Sequence, residues 1–222
     1  PLILLKTGGL DANHHWQVYL PIMVGAFILM IPAIIYGEKK AKLKQVFVAA
    51  VALMFVTQTG MALTLNSFWN IVILLGGYFI AFNVLEATLP SLISKIAPAA
   101  AKGTAIGVYN ATQSFGTFLG GALGGYLYKH HGNSAVFAAC GLLMLIWLLV
   151  AATMQPPPAV KTQMFHIGDN WQGDVRELSR KLGALRGVKE AVVIAEEGVA
   201  YLKVLQSDWD EAGVLRLIQE TN

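Results

Sequence analysis

Long apolar runs separated by short polar segments fill the first two thirds of the chain. Each run is about 20 residues or longer and has almost no polar face, unlike the amphipathic helices of soluble proteins. About 20 residues of helix cross a hydrocarbon core ~30 Å thick. The pattern therefore predicts a transmembrane region over residues 1–155, with five spans at about 16–36, 45–65, 69–94, 104–128 and 134–154.

After residue 155 the pattern changes to short strand-like and amphipathic segments. Pro156 and Pro157 begin a run of three prolines that cannot continue a helix. We predict a Pro-rich linker over 156–162 and a soluble domain over 163–222. Strand candidates lie at 164–167, 191–195 and 199–205, with a turn at 196–198.

Two helices complete this domain. Asp169 or Asn170 is predicted to cap the first and Ser207 to open the second. Their inward positions are Val175, Leu178, Leu182 and Leu185 in the first helix, and Val214, Leu215 and Ile218 in the second. The order βαββα predicts a ferredoxin-like α+β domain without its final strand. The open edge of the first strand predicts self-association. A regulatory role and a passive appendage both remain open.

Composition and charge support two different environments. The chain is 55% hydrophobic and only 13% charged, whereas soluble domains are about 25% charged. Residues 1–155 hold 8 Lys/Arg and 3 Asp/Glu, and the remainder holds 8 and 10. Because the excess lysines lie in short loops between apolar runs, they indicate membrane orientation, and no nucleic-acid partner is predicted.

The loops set the predicted orientation. Segment 37–44 carries four lysines, and segment 97–103 is flanked by Lys95 and Lys102, whereas the alternate loops are poor in charge. By the positive-inside rule the lysine-rich loops and the C-terminal domain are cytoplasmic. The opposite interface then receives the aromatic residues Trp16, Tyr19, Trp69, Tyr126 and Tyr128.

Segment 90–128, PSLISKIAPAAAKGTAIGVYNATQSFGTFLGGALGGYLY, carries a family resemblance. A proline precedes a short loop, Lys102-Gly103 follows, and then come Gly107, Asn110 and a row of spaced glycines. This resembles the major facilitator superfamily, especially its bacterial drug-efflux members. The resemblance implies an all-α polytopic membrane bundle, a partial major facilitator fold, in which the five spans are helices eight to twelve.

The resemblance also implies a function and partners. It implies proton-coupled efflux of small molecules by alternating access, in the bacterial inner membrane. We expect the apolar stub 1–5 to be the end of a helix that has been cut off, which leaves an N-terminal half of the transporter as the missing partner beside membrane lipid. A non-transporting membrane sensor or scaffold, with the C-terminal domain as its output, is the alternative.

Polar groups inside the spans are the candidate pathway residues. Glu86 is the only acidic residue in a span, with Asn83 three residues earlier on the same helical face. It is interpreted either as a proton-responsive group or as a structural carboxylate. Asn110 and Gln113 begin a polar stripe with Ser114 and Thr117, which fits a substrate pathway or interhelical hydrogen bonds.

Other chemistry has little support. Gly116, Gly120 and Gly124 form a stripe expected to serve helix packing. The single cysteine, Cys140, excludes an internal disulfide. The pairs His14-His15 and His130-His131 lack an accompanying carboxylate cluster. Segment 185–193 resembles heavy-metal-binding domains, but segment 168–173, GDNWQG, lacks their C-x-x-C motif. We predict no enzyme activity, cofactor or metal.

Overall fold

The fold is described from a computed structural model that covers residues 4–5, 9–64, 67–98, 101–157, 159–168, 173–205 and 208–219. The chain forms two compact units. We call Pro1–Ser91 with Asn110–Pro157 the helical unit, and Leu92–Tyr109 with Pro158–Asn222 the tail unit.

Long apolar helices occupy most of the chain. They are α1 (Trp16–Lys39), α2 (Leu43–Leu63), α3 (Phe68–Ile96) and α4 (Lys102–Thr153). Each is long and apolar enough to cross a membrane. The first three coincide with predicted runs to within about three residues at either end, which is the usual scatter of helix boundaries.

The fourth helix is kinked between the two predicted spans. Both predicted runs, 104–128 and 134–154, lie within the 52 residues of α4. Only Gly132 departs from helical geometry, with φ 80° and ψ −171°. Glycine adopts positive φ without a steric penalty, so one residue redirects the helix and no separate loop is needed.

Contacts show the direction of the two segments of α4. Gln113 lies beside Glu86 of α3, so segment 102–131 runs back along the helix that precedes it. Segment 133–153 runs opposite to α2, since Trp147 packs on Phe47 with ring centroids 5.8 Å apart. Consistently, Gly141 lies against Thr59 at the other end of α2.

Close helix packing uses glycines at the faces of α2 and α3. A Cβ on Gly60 would lie 2.7 Å from Leu74 Cδ2, and a Cβ on Gly77 would lie 2.8 Å from Thr57 Cγ2. No heavy atom lies within 4 Å of such a Cβ at the predicted packing positions Gly116, Gly120 and Gly124. Within the described residues, then, the stripe of three faces open space.

The tail unit contains a three-stranded antiparallel sheet. Its strands are β1 (Val160–His166), β2 (Val188–Ile194) and β3 (Val199–Leu205), in the order β1-β3-β2. Helices α5 (Val175–Gly183) and α6 (Glu211–Gln219) complete the order βαββα. The core includes Leu178, Leu182, Leu202, Val204 and Val214.

Two boundaries and one core position differ from prediction. β1 begins at Val160, inside the predicted linker 156–162, because pairing with Leu205 extends the sheet. β2 also begins three residues earlier than expected. Leu215 is 45% exposed, because Val214 and Ile218 already occupy the inward face and Leu215 is turned about 100° away.

An aspartate just before each helix of the tail unit, α5 and α6, caps its N-terminus. Asp174 accepts hydrogen bonds from the backbone N–H groups of Arg176 and Glu177, at 2.8 and 3.3 Å, and begins α5. The carboxylate of Asp210 accepts from the N–H of Gly213 at the start of α6. The predicted caps Asp169, Asn170 and Ser207 lie outside the described residues.

Gly77→Ala is expected to destabilise the helical unit. The new methyl would meet Thr57, whose side chain is buried and bonded to the carbonyl of Met54 at 3.0 Å. Overpacking of this kind costs about 1–3 kcal/mol. Gly116→Ala is the control, because its Cβ enters open space. Denaturation of the 222-residue chain in detergent micelles measures both variants, and equal losses of stability would contradict the assignment.

Candidate functional site

A carboxylate and an amide join α3 to α4. The Nε2 atom of Gln113 lies 3.2 Å from both Oε1 and Oε2 of Glu86. Both side chains are exposed in this chain. Two of the four predicted pathway residues therefore meet across the helices. The amide N–H groups give the carboxylate a donor that the surrounding apolar residues cannot supply.

The other predicted pathway residues lie on the same two helices. Asn83 is half-buried on α3, and Asn110 is exposed on α4. The hydroxyl of Ser114 donates to the carbonyl of Asn110, and that of Thr117 donates to the carbonyl of Gln113, each at 2.9 Å. Because these hydroxyls bond within their own helix, Gln113 is the member of the stripe seen bonding to another helix.

A second carboxylate contact joins α1 to α3. The hydroxyl of Ser91 donates to Oε1 of Glu38 at 2.9 Å. Glu38 lies in the last turn of α1, next to Gly37, where a Cβ would stand 3.2 Å from Val46. The sequence interpretation treated segment 37–44 only as a basic loop. The signal for this contact was the single acidic residue among its four lysines.

An apolar cavity of about 290 Å³ lies between α1, α2 and α3. Only aliphatic side chains and one tyrosine line it: Ala33, Tyr36, Val46, Ala49, Ala50, Leu53, Ile80, Ala81 and Val84. Such a lining suits an apolar group rather than an ion. Sequence reasoning missed it because alanine and valine carry no chemical signal and a cavity arises only from packing.

Further polar groups lie at Gln58 and at the histidine pair His130-His131. The buried Oε1 of Gln58 on α2 has no hydrogen-bond partner within the described residues. The ring of His130 lies 4.5 Å from that of Tyr126, and 6.5 Å from that of His131. The described part of the chain holds no group of three or more His, Cys, Asp or Glu that could bind a metal ion.

Comparison with known proteins adds independent findings. Residues 15–196 match the model of a family described as the Major Facilitator Superfamily. The inner membrane transport protein YajR of Escherichia coli (strain K12) is 42% identical over 200 residues, which cover 90% of this chain and 44% of that protein. An uncharacterized transporter of Buchnera aphidicola (subsp. Baizongia pistaciae) is 27% identical over 136 residues, covering 60% and 34%. This chain thus spans less than half the length of these curated relatives.

Glu86→Ala is expected to weaken the contact between α3 and α4. Interhelical hydrogen bonds in membranes contribute about 0.6 kcal/mol on average, so a loss of about 0.5–1.5 kcal/mol is expected in detergent. Glu86→Gln retains an acceptor for Gln113 and should lose less. A double-mutant cycle with Gln113→Ala isolates the pair. Additive losses would show that the two side chains do not stabilise each other.

Proposed function

Because the chain belongs to the Major Facilitator Superfamily, we propose that it forms part of a secondary transporter that exports small molecules across the bacterial inner membrane in exchange for protons. Its relative in Escherichia coli is named an inner membrane transport protein. The long apolar helices of the described residues fit that setting. The contact between Glu86 and Gln113 is the observation that carries the proton-coupled part of the proposal.

The proposed mechanism is alternating access between two helical bundles. This chain supplies one bundle, and an N-terminal half supplies the other. The open faces around Gly116, Gly120 and Gly124 support this division, because small residues permit close approach of a second set of helices. Asn110 and Gln113 lie on the same helix and would border the pathway between the bundles.

Protonation of Glu86 would change its contact with Gln113. An ionised carboxylate only accepts hydrogen bonds, whereas a protonated one also donates. Placing an ionised side chain inside a membrane costs about 2.5 kcal/mol or more. The hydrogen bond from Gln113 and the protonation state of Glu86 would therefore depend on each other. Proton binding would therefore alter the contact between α3 and α4. This link is how a proton could bias the arrangement of two helices.

The cavity between α1, α2 and α3 supports a substrate with an apolar part. Its volume of about 290 Å³ is near the lower end of small-ligand pockets. The lining has no charged side chain, so it would hold an aliphatic or aromatic group. We propose lipophilic small molecules as the substrate class.

Transport should depend on the proton gradient and on Glu86. In vesicles containing the full-length protein to which this chain belongs, an uncoupler should abolish export of a lipophilic dye. Glu86→Gln should reduce export at least about tenfold or shift its pH optimum, because the amide cannot exchange a proton. Ser91→Ala, which alters the other carboxylate contact, should keep the pH profile of the wild type.

Two outcomes would contradict this proposal. Wild-type export that is unchanged in Glu86→Gln across the pH range would remove Glu86 from the proton pathway. A reconstituted, folded protein that moves no substrate in a broad panel would favour the membrane sensor or scaffold instead.

We further propose that the C-terminal domain is a ferredoxin-like unit without a fourth strand, and that it self-associates in the cytoplasm. The order β1-β3-β2 supports this, since the absent strand would pair beside β1. Outer strands present unpaired N–H and C=O groups that can pair with another chain. Met164 on β1 is 63% exposed and adds an apolar side chain near that edge.

Self-association should depend on β1. The average mass of isolated residues 159–222, measured by sedimentation, should rise with concentration. Met164→Lys should keep it monomeric, because charged residues protect open edges. Leu215→Lys is the matched control, as Leu215 is an exposed apolar residue on α6. A folded domain that stays monomeric at millimolar concentration, with β1 amides protected from exchange, would mean that the edge is covered.

A further inference from the structure

A buried lysine occupies the face of the sheet opposite the core. Leu202 and Val204 point into the core and are fully buried. Strand alternation places Lys203, between them, on the other face. Yet the Lys203 side chain is only 7% exposed. A lysine is almost never buried unless its charge is paired, so this position requires an explanation.

Lys203 is the middle of a row across the three strands. Thr162 on β1 and Glu190 on β2 are its direct partners in the register. Residues opposite each other in antiparallel strands share one face of the sheet. Glu190 Oε2 lies 3.2 Å from the Lys203 ammonium and balances its charge. The row therefore combines a hydroxyl, an ammonium and a carboxylate.

Lys203 and Thr162 of this row also contact residues at the end of α3 and at the start of α4. The ammonium of Lys203 donates to the carbonyl of Ala97 and lies 3.5 Å from the carbonyl of Lys95. The ammonium of Lys102 donates to the hydroxyl of Thr162. All of these residues belong to the tail unit. Lys95, Ala97 and Lys102 thus lie over the face of the sheet opposite the core.

We propose that this row is a docking surface for the α3–α4 loop and that Lys203 is its clamp. The last carbonyls of a helix lack partners within the helix and carry partial negative charge. An ammonium group has three donors and suits such a site. Lys203 thereby caps the C-terminal end of α3, while Lys102 holds the first turn of α4 to the neighbouring strand.

The clamp ties two helix ends to one sheet. Lys203 contacts the end of α3, and Thr162 contacts the start of α4, so separating those ends breaks one contact or the other. The C-terminal domain therefore restrains the spacing of the two helices. This inference does not depend on transport, because it rests only on contacts within the tail unit.

Trypsin cleavage after Lys102 reports the docking directly. The protease must take the Lys102 side chain into its own pocket, which requires release from Thr162. Lys203→Met in the membrane-reconstituted chain should speed cleavage after Lys102 about tenfold or more, since the loss of one partner of a buried pair is strongly destabilising. Lys189→Met is the matched control, because this exposed lysine precedes Glu190 on the same strand and its loss removes one tryptic site equally.

A second variant covers the case in which Lys203→Met unfolds the sheet, seen as lost amide protection in β3. Thr162→Val keeps a β-branched residue on an exposed strand position and removes only the acceptor for Lys102. It should speed cleavage after Lys102 about twofold to fivefold, as expected for one hydrogen bond. Unchanged cleavage in Thr162→Val, or an equal effect of Lys189→Met and Lys203→Met, would overturn the proposal.

Discussion

Close approach of helix backbones around α2 is the constraint on which the helical unit depends. Lipid offers no hydrophobic drive for helices to associate, so they must gain from tight packing instead. Three glycines leave room for side chains of a neighbouring helix. Gly60 of α2 lies against Leu74 of α3, and Gly77 of α3 lies against Thr57 of α2. Gly141 of α4 lies against Thr59 of α2. Seven residues of α2 are buried. The positions of α3 and of the second segment of α4 are therefore both set by packing against α2.

Polar side chains are subject to the same apolar surroundings. Thr57, Thr88 and Ser114 bond to carbonyls of their own helix, so they add no polar group that needs another partner. Glu86 and Glu38 cannot be satisfied in this way, and each receives a donor from a different helix. The hydrogen bonds of the two carboxylates therefore depend on how the helices are arranged, whereas those of the three hydroxyls do not.

The sequence predicted features that depend on one segment at a time. Apolar runs located α1, α2 and α3, and alternation located β3, because each property is local. Which glycines pack against the described helices was not predictable in this way, because such packing depends on the neighbouring helix: Gly77 lies against Thr57, whereas the stripe at Gly116 faces open space among the described residues. Lys203 left one trace, a charge between two core residues of β3, but its role requires the loop that covers it.

The contacts of Lys203 and Lys102 have a topological consequence. Lys203 joins the sheet to the carbonyl of Ala97 after α3, and Lys102 at the start of α4 contacts Thr162 on β1. A side-chain contact cannot reach across a hydrocarbon core about 30 Å thick. The α3–α4 loop and the C-terminal sheet must share one aqueous compartment, so whatever binds the sheet acts on the side of the membrane where that loop is exposed.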